Sequence, residues 1–158
     1  MLYALLKLVH LYTVVIWVGG MVFALFCLRP AALGLPPPTR VPLMHTALGR
    51  FFKLVLVSSV LTLLSGGWMM SRVAQTTHQT GAKFNMPLEW MAMAVGGVLM
   101  VAIFMHIRFA LFKRLTHAVA AQDWPAGGAA LGSIRTWVGV NLALGTLIVT
   151  AVVLGTMS

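Results

Sequence analysis

The chain has 158 residues, of which 60% are hydrophobic and only 8% are charged. A soluble domain of this size cannot bury that much apolar surface, so the composition predicts an integral membrane protein in a lipid bilayer. The net charge of +9 arises from 11 Lys and Arg residues against two acids. These basic residues flank apolar runs, as the charges that set the orientation of membrane helices do. The sequence has no cluster of basic and aromatic residues of the kind that binds nucleic acid, so nucleic acid is not an expected partner.

The first predicted helix crosses the membrane between Lys7 and Arg29. The 21 residues between these two positions include no Lys, Arg, Asp or Glu. At about 1.5 Å per residue, such a helix spans roughly 30 Å, the thickness of a bilayer core. The helix is predicted to end at Arg29-Pro30.

One face of this helix carries ionisable side chains. The helical repeat places six residues on one stripe: Tyr3, Lys7, His10, Val14, Trp17 and Met21. Ionisable groups are costly against lipid, so we expect the stripe to face other helices or a cavity. A purely structural alternative is that Lys7 extends to the membrane interface and His10 only hydrogen-bonds a neighbouring helix.

Three further spans follow, separated by loops. The segment Pro36–Pro38 is expected to be extended, with a helix restarting near Pro42. Polar residues at 73–88 and the Trp-Pro and glycine-rich segment 123–133 predict two more loops. The third helix is expected to continue as an amphipathic extension to about residue 121. The predicted spans are about 8–28, 54–71, 90–107 and 136–157.

These elements predict one all-α domain over residues 1–158, an up-down four-helix bundle in the membrane. Gly-Gly pairs in the first three helices, at 19–20, 66–67 and 96–97, favour close helix packing. Eight basic residues lie at the first and third loops and three on the other face, so both termini are predicted outside the cytoplasm. The eight are Arg29, Arg40, Arg50, Lys53, Arg108, Lys113, Arg114 and Arg135, and the three are Lys7, Arg72 and Lys83.

Imidazole and thioether side chains are the candidate metal ligands. His10 lies in the outer part of the first helix and His106 near the inner end of the third, about 20 Å apart along the membrane normal. The two are therefore not expected to bind one haem, while His78 in the second loop is expected to lie outside. Several methionines share the outer layer with His10, and soft thioethers suit Cu(I), although methionine is also common as flexible core filler. The candidate methionines are Met69, Met70, Met91 and Met93.

Glu89 is the one acid close to a predicted span. It lies in the same outer layer as Lys7, on a different helix. An ion pair between them would lower the cost of both charges, and a structural pair is favoured over a proton relay.

Several short motifs resemble a known family. They are KxxH followed by Trp-Val-Gly-Gly and then LRP, LGRFF before the second span, AIFMHIRFALFKRL in the third, and NLALG in the fourth. Together they resemble small bacterial membrane proteins of the CopD-like family. The first helix also resembles the HemJ-type protoporphyrinogen oxidases, and four-helix b-type cytochromes share the general plan. The residues of this chain that match these family motifs are Lys7, His10, Trp17, Arg50 and His106.

The resemblance implies copper uptake or resistance in the bacterial inner membrane. The layer that His10 shares with the candidate methionines predicts that copper binds on the outer side. The HemJ-like relatives imply instead a haem b redox protein, in which His10 is an axial ligand. A structural accessory subunit is the third alternative. Larger CopD proteins have more than the four spans predicted here. The expected partners are a periplasmic copper or electron-transfer protein and a second copy of the chain in a homo-oligomer.

Overall fold

Four long helices make up the protein in the computed structural model, which describes residues 1–79 and 86–155. Each is long and apolar enough to cross a membrane, and the described residues contain no β-strand. The all-α, four-helix membrane fold predicted from the sequence is therefore confirmed. The helices are α1 (Leu2–Leu33), α2 (Pro37–Gln79), α3 (Leu88–Ala120) and α4 (Trp124–Gly155).

The helices extend well beyond the predicted spans. Pro37 and Pro38 form the first turn of α2, so the prediction of an extended Pro36–Pro38 segment is wrong for these two residues. The first turn of a helix tolerates proline because its N–H groups have no intrahelical partner. At its other end α2 continues to Gln79, so residues 73–79 of the predicted second loop are helical. The remainder of that loop includes Lys83 and lies partly outside the described residues.

The predicted loop at 123–133 is wrong from Trp124 onward, because those residues are helical. The chain turns at residues 121–123, where Gln122 has a φ of 54°, and α4 begins at Trp124. The Asp123 carboxylate accepts a hydrogen bond from the Ala126 backbone N–H at 2.9 Å and so caps the helix. The glycine at 127 packs rather than turns, since a Cβ there would lie 2.6 Å from Cγ1 of Val41. The amphipathic extension of α3, predicted to reach about residue 121, ends at Ala120.

Two helices contain a wider π-helical turn, α1 at Ala24–Leu28 and α3 at Ile107–Leu111. In α1 the wide turn directly precedes Arg29-Pro30. A proline ring inside a regular helix clashes with the carbonyl four residues earlier and donates no hydrogen bond. The π turn relieves this clash, so α1 continues through the proline to Leu33 instead of ending there.

The core contains interlocking aromatic rings from three helices. Phe104 of α3 meets Trp17 of α1 and Phe52 of α2 edge-on, each at 6.0 Å between ring centroids. Glycine allows the close approach of α3 and α4, because a Cβ at Gly96 would lie 2.5 Å from Cδ1 of Ile148. This contact agrees with the packing role predicted for the glycine pairs. Most other large apolar side chains point outward, as a lipid environment requires.

Candidate metal site

His10 is held against α2 by its Nδ1 atom. Nδ1 lies 3.1 Å from the carbonyl oxygen of Thr62 and 3.2 Å from Oγ of Ser65. A carbonyl only accepts hydrogen bonds, so Nδ1 carries the proton and donates to it. The Nε2 atom of the neutral ring is then left with a free lone pair, the arrangement typical of a metal-ligating histidine.

Small residues on α2 make this contact possible. A Cβ at position 66 would lie 3.2 Å from Cε1 of His10, so Gly66 lets the imidazole lie directly on the helix. One turn deeper, the Thr62 hydroxyl donates to the Thr13 hydroxyl at 2.7 Å, and Thr13 donates to the His10 backbone carbonyl at 2.9 Å. The surface of α1 around His10 is thus polar and forms hydrogen bonds to α2.

A cavity of about 250 Å³ opens beside His10, and all four helices line it. Three methionines lie on its wall: Met70 from α2, and Met93 and Met100 from α3. Gly145 of α4 accommodates the end of Met100, because a Cβ there would lie 2.9 Å from the Met100 methyl carbon. The cavity therefore brings one imidazole together with three thioether side chains in an otherwise apolar setting.

This donor set suits a soft cation. Thioethers and imidazole bind Cu(I), whereas harder divalent ions prefer carboxylate and carbonyl oxygens. Within residues 1–79 and 86–155, no group of three or more His, Cys, Asp or Glu side chains could hold a metal ion. The additional soft donors beside His10 on the cavity wall are the three thioethers.

The structure separates the four predicted methionines into two pairs. Met70 and Met93 line the cavity, whereas Met69 and Met91 do not. Met91 is 47% exposed on the outside of α3. His78 is exposed near the end of α2 and also lies away from the cavity wall. Position along the helix axis does not predict the direction in which each of these side chains points.

The other family-matched residues lie in different places. Trp17 is buried and lines the cavity. His106 is exposed on α3, where its ring meets Trp137 edge-on at 5.2 Å between centroids, and it does not line the cavity. Arg50 is exposed on α2, away from the cavity. Only His10 and Trp17 of the five carried-over residues thus reach this site.

Lys7 and Glu89 do not form the predicted ion pair. Lys7 is exposed on the first turns of α1, and within the described part of the chain no carboxylate lies within salt-bridge distance of it. Glu89 instead packs at the end of α4, where a Cβ at Gly155 would lie 3.1 Å from the Glu89 Cβ. The packing of α3 against α4, rather than against α1, separates the two charges. Tyr3 is likewise exposed, so the inward-facing stripe begins at His10.

Sequence reasoning missed the residues that orient His10. Thr62 and Ser65 are three positions apart within an apolar run, which places both on one helical face. Small hydroxyl residues at such a spacing commonly bind across helices in membranes and could have indicated a partner for His10. Met100 was missed because it lies deeper than the other methionines, at a level that only the tertiary packing connects to His10.

The fold and cavity define a multi-pass helical membrane protein with a thioether-lined pocket at one end. The family model for copper resistance protein D (CopD) matches residues 45–154, more than half of the chain. The chain therefore belongs to the CopD family and is a copper-resistance-related protein of the inner membrane. The matched range begins within α2, so it does not include Lys7, His10 or Trp17. A search of the curated proteins found no match, and neither did a search of the solved structures.

Proposed function

We propose that the protein binds Cu(I) in the cavity beside His10, as a step in copper uptake or homeostasis. The observation that carries this proposal is the gathering of His10, whose Nδ1 lies against the Thr62 carbonyl, and three methionines around one cavity. Membership of the CopD family is the reason for proposing copper as the ion. The donor set matches the preference of the cuprous ion for soft ligands. His10 and the cavity methionines, Met70, Met93 and Met100, are the proposed ligands.

The site is proposed to open on the outer side of the membrane. The cavity lies in the half of the bundle that holds the start of α1 and the end of α4, while most of the basic residues lie at the opposite end. By the positive-inside rule, this distribution of basic residues supports a cavity that faces the periplasm. The partner that we expect there is a soluble copper carrier, which would deliver or accept the ion at the cavity mouth.

A haem b site fits this cavity less well. Its volume of about 250 Å³ lies below the roughly 300–1,000 Å³ of ordinary small-molecule and cofactor pockets. Among the described residues, His10 is the only imidazole on the cavity wall. An ion needs less space than a macrocycle and requires no second imidazole.

The test is Cu(I) binding by purified protein in detergent, measured by competition with a chromophoric Cu(I) chelator under reducing conditions. His10→Ala removes the nitrogen donor and is expected to weaken binding at least tenfold, equivalent to about 1.4 kcal/mol. The double variant Met70→Leu with Met93→Leu keeps similar volume and removes two sulfurs. It is expected to weaken Cu(I) binding by a similar factor.

Matched controls come from residues in the same helices that do not line the cavity. The double variant Met69→Leu with Met91→Leu removes the same number of sulfurs, and His106→Ala removes one imidazole. Both are expected to bind Cu(I) like the parent. Equal losses from the cavity pair and the control pair would show that the cavity is not the copper site. A Soret band in the purified parent that His10→Ala abolishes would favour the haem reading instead.

A further inference from the structure

A second cavity, of about 290 Å³, lies at the opposite end of the bundle. Three arginines from three helices line it, namely Arg29 of α1, Arg40 of α2 and Arg135 of α4. The wide π turn of α1 contributes Ala24 and Leu25 to its wall and leads directly into Arg29. We call this space the arginine cavity.

No acid neutralises these three guanidinium groups. The chain has only two acids, Glu89 and Asp123. Glu89 lies beside the far end of α4, and the Asp123 carboxylate accepts a hydrogen bond at the start of that helix. In the described part of the chain, none of the three arginines has a salt-bridge partner. Three like charges around one space repel each other. A bound anion would attract all three and offset that repulsion.

The rest of the wall is apolar. It includes Leu25, Met44, Leu48 and Val138, of which the last three are buried core residues. Gly132 leaves additional space, since a Cβ there would meet no atom within 4 Å. The cavity thus combines a cluster of phosphate-binding donors with an adjoining hydrocarbon surface. A free anion would use only the first of these, whereas a lipid would use both.

We propose that the arginine cavity binds the phosphate group of an anionic phospholipid, with part of an acyl chain against the apolar wall. Guanidinium groups bind phosphate oxygens through paired charge-assisted hydrogen bonds, which gives them a geometric advantage over lysine. Arg29 and Arg40 are half-buried, so their interaction with a phosphate is less screened by water than that of a fully exposed charge. A basic pocket between membrane helices is a known type of lipid headgroup site.

The test counts phosphatidylglycerol molecules bound to the purified protein by native mass spectrometry, as the lipid is titrated into detergent. The cavity variant changes Arg29, Arg40 and Arg135 together to Gln. It is expected to bind phosphatidylglycerol about tenfold more weakly than the parent, because the charge-assisted hydrogen bonds are lost. Phosphatidylcholine, whose net charge is zero, is expected to bind both proteins weakly.

The matched control removes three charges from the same end of the bundle without touching the cavity. It changes three exposed residues, Lys53, Lys113 and Arg114, to Gln. This variant is expected to retain the affinity of the parent within about threefold, since surface charges add little to a bound headgroup. Equal losses in the two triple variants would overturn the proposal, because diffuse surface charge would then explain the binding.

Two further arms distinguish the source of the phosphate and guard against misfolding. Millimolar inorganic phosphate is expected to leave lipid binding unchanged, and complete displacement by it would overturn the lipid assignment in favour of a free anion. Gly132→Leu adds a bulky side chain to the cavity wall while keeping all three arginines, and it is expected to weaken lipid binding. Parent-like lipid binding by Gly132→Leu would also overturn the proposal, even if the triple arginine variant fails to fold.

Discussion

Replacing Gly66 with Ala is expected to weaken Cu(I) binding without changing any proposed ligand. The new Cβ would lie 3.2 Å from Cε1 and 3.4 Å from Nδ1 of His10, so the ring must shift by a few tenths of an ångström. Its hydrogen bond to Thr62 is 3.1 Å long in the parent and lengthens as the ring moves away. Disturbing the partner that orients a metal-ligating histidine typically costs 10–100-fold in metal affinity.

The lower end of that range applies here, because the hydrogen bond is strained rather than removed. We therefore expect about tenfold weaker Cu(I) binding, or about 1.4 kcal/mol. Thermal stability should change little. Alanine gains up to about 1 kcal/mol over glycine inside a helix, and the weakened hydrogen bond offsets a similar amount.

Gly67→Ala is the matched control. It makes the same chemical change at the next position of the same helix, on the wall of the same cavity, but its Cβ meets no atom within 4 Å. The control should bind Cu(I) like the parent and melt at a higher temperature in detergent. The assay is chelator competition on both variants, together with thermal unfolding of each. Equal Cu(I) affinities for Gly66→Ala and Gly67→Ala would refute the role given to the orientation of His10.

Three other predictions concern the rest of the bundle. A reporter fused after Ser158 should be active only outside the cytoplasm, and activity inside would reverse the assigned orientation of both cavities. Asn141→Leu should leave thermal stability unchanged or raise it. The Oδ1 atom of this residue is buried without a hydrogen-bond partner among the described residues, and such a group costs about 1–3 kcal/mol; a marked loss of stability would indicate a polar partner there. The effects of Lys7→Met and Glu89→Gln on the free energy of unfolding should add, within about 0.5 kcal/mol, in the double variant. A strong coupling between the two changes would instead indicate that Lys7 and Glu89 interact.

Several features of the protein follow from the sequence alone. The number of helices, their membrane-crossing character and the absence of strands from the described residues could be predicted because a bilayer requires long apolar segments with internally paired backbones. The candidate role of His10 could also be predicted, since an ionisable side chain in an apolar helix needs a polar neighbour. The family resemblance, carried by short motifs, agreed with the CopD match.

The ends of the helices required the structure. The sequence predicts loops at Pro37, Pro38 and the Trp124-Pro125 pair, because proline and glycine disfavour helix interiors. In the structure these prolines lie in first helical turns, which tolerate them, and tertiary contacts outweigh the helix cost of the glycines that follow Pro125. The packing of position 127 against Val41, for example, holds the start of α4 in a helical conformation. A sequence window cannot include this contact, because the two residues are far apart in the chain.

Only the tertiary structure decided which side chains line the cavity beside His10. Adjacent helical residues such as Met69 and Met70 point about 100° apart, so helix rotation determines which one reaches the cavity. That rotation is set by close contacts between helices, including Gly66 against His10 and Gly96 against Ile148. The same packing separates Lys7 from Glu89. Hydrophobic length places a residue at a depth in the membrane, but only the contacts between helices determine the direction in which its side chain points.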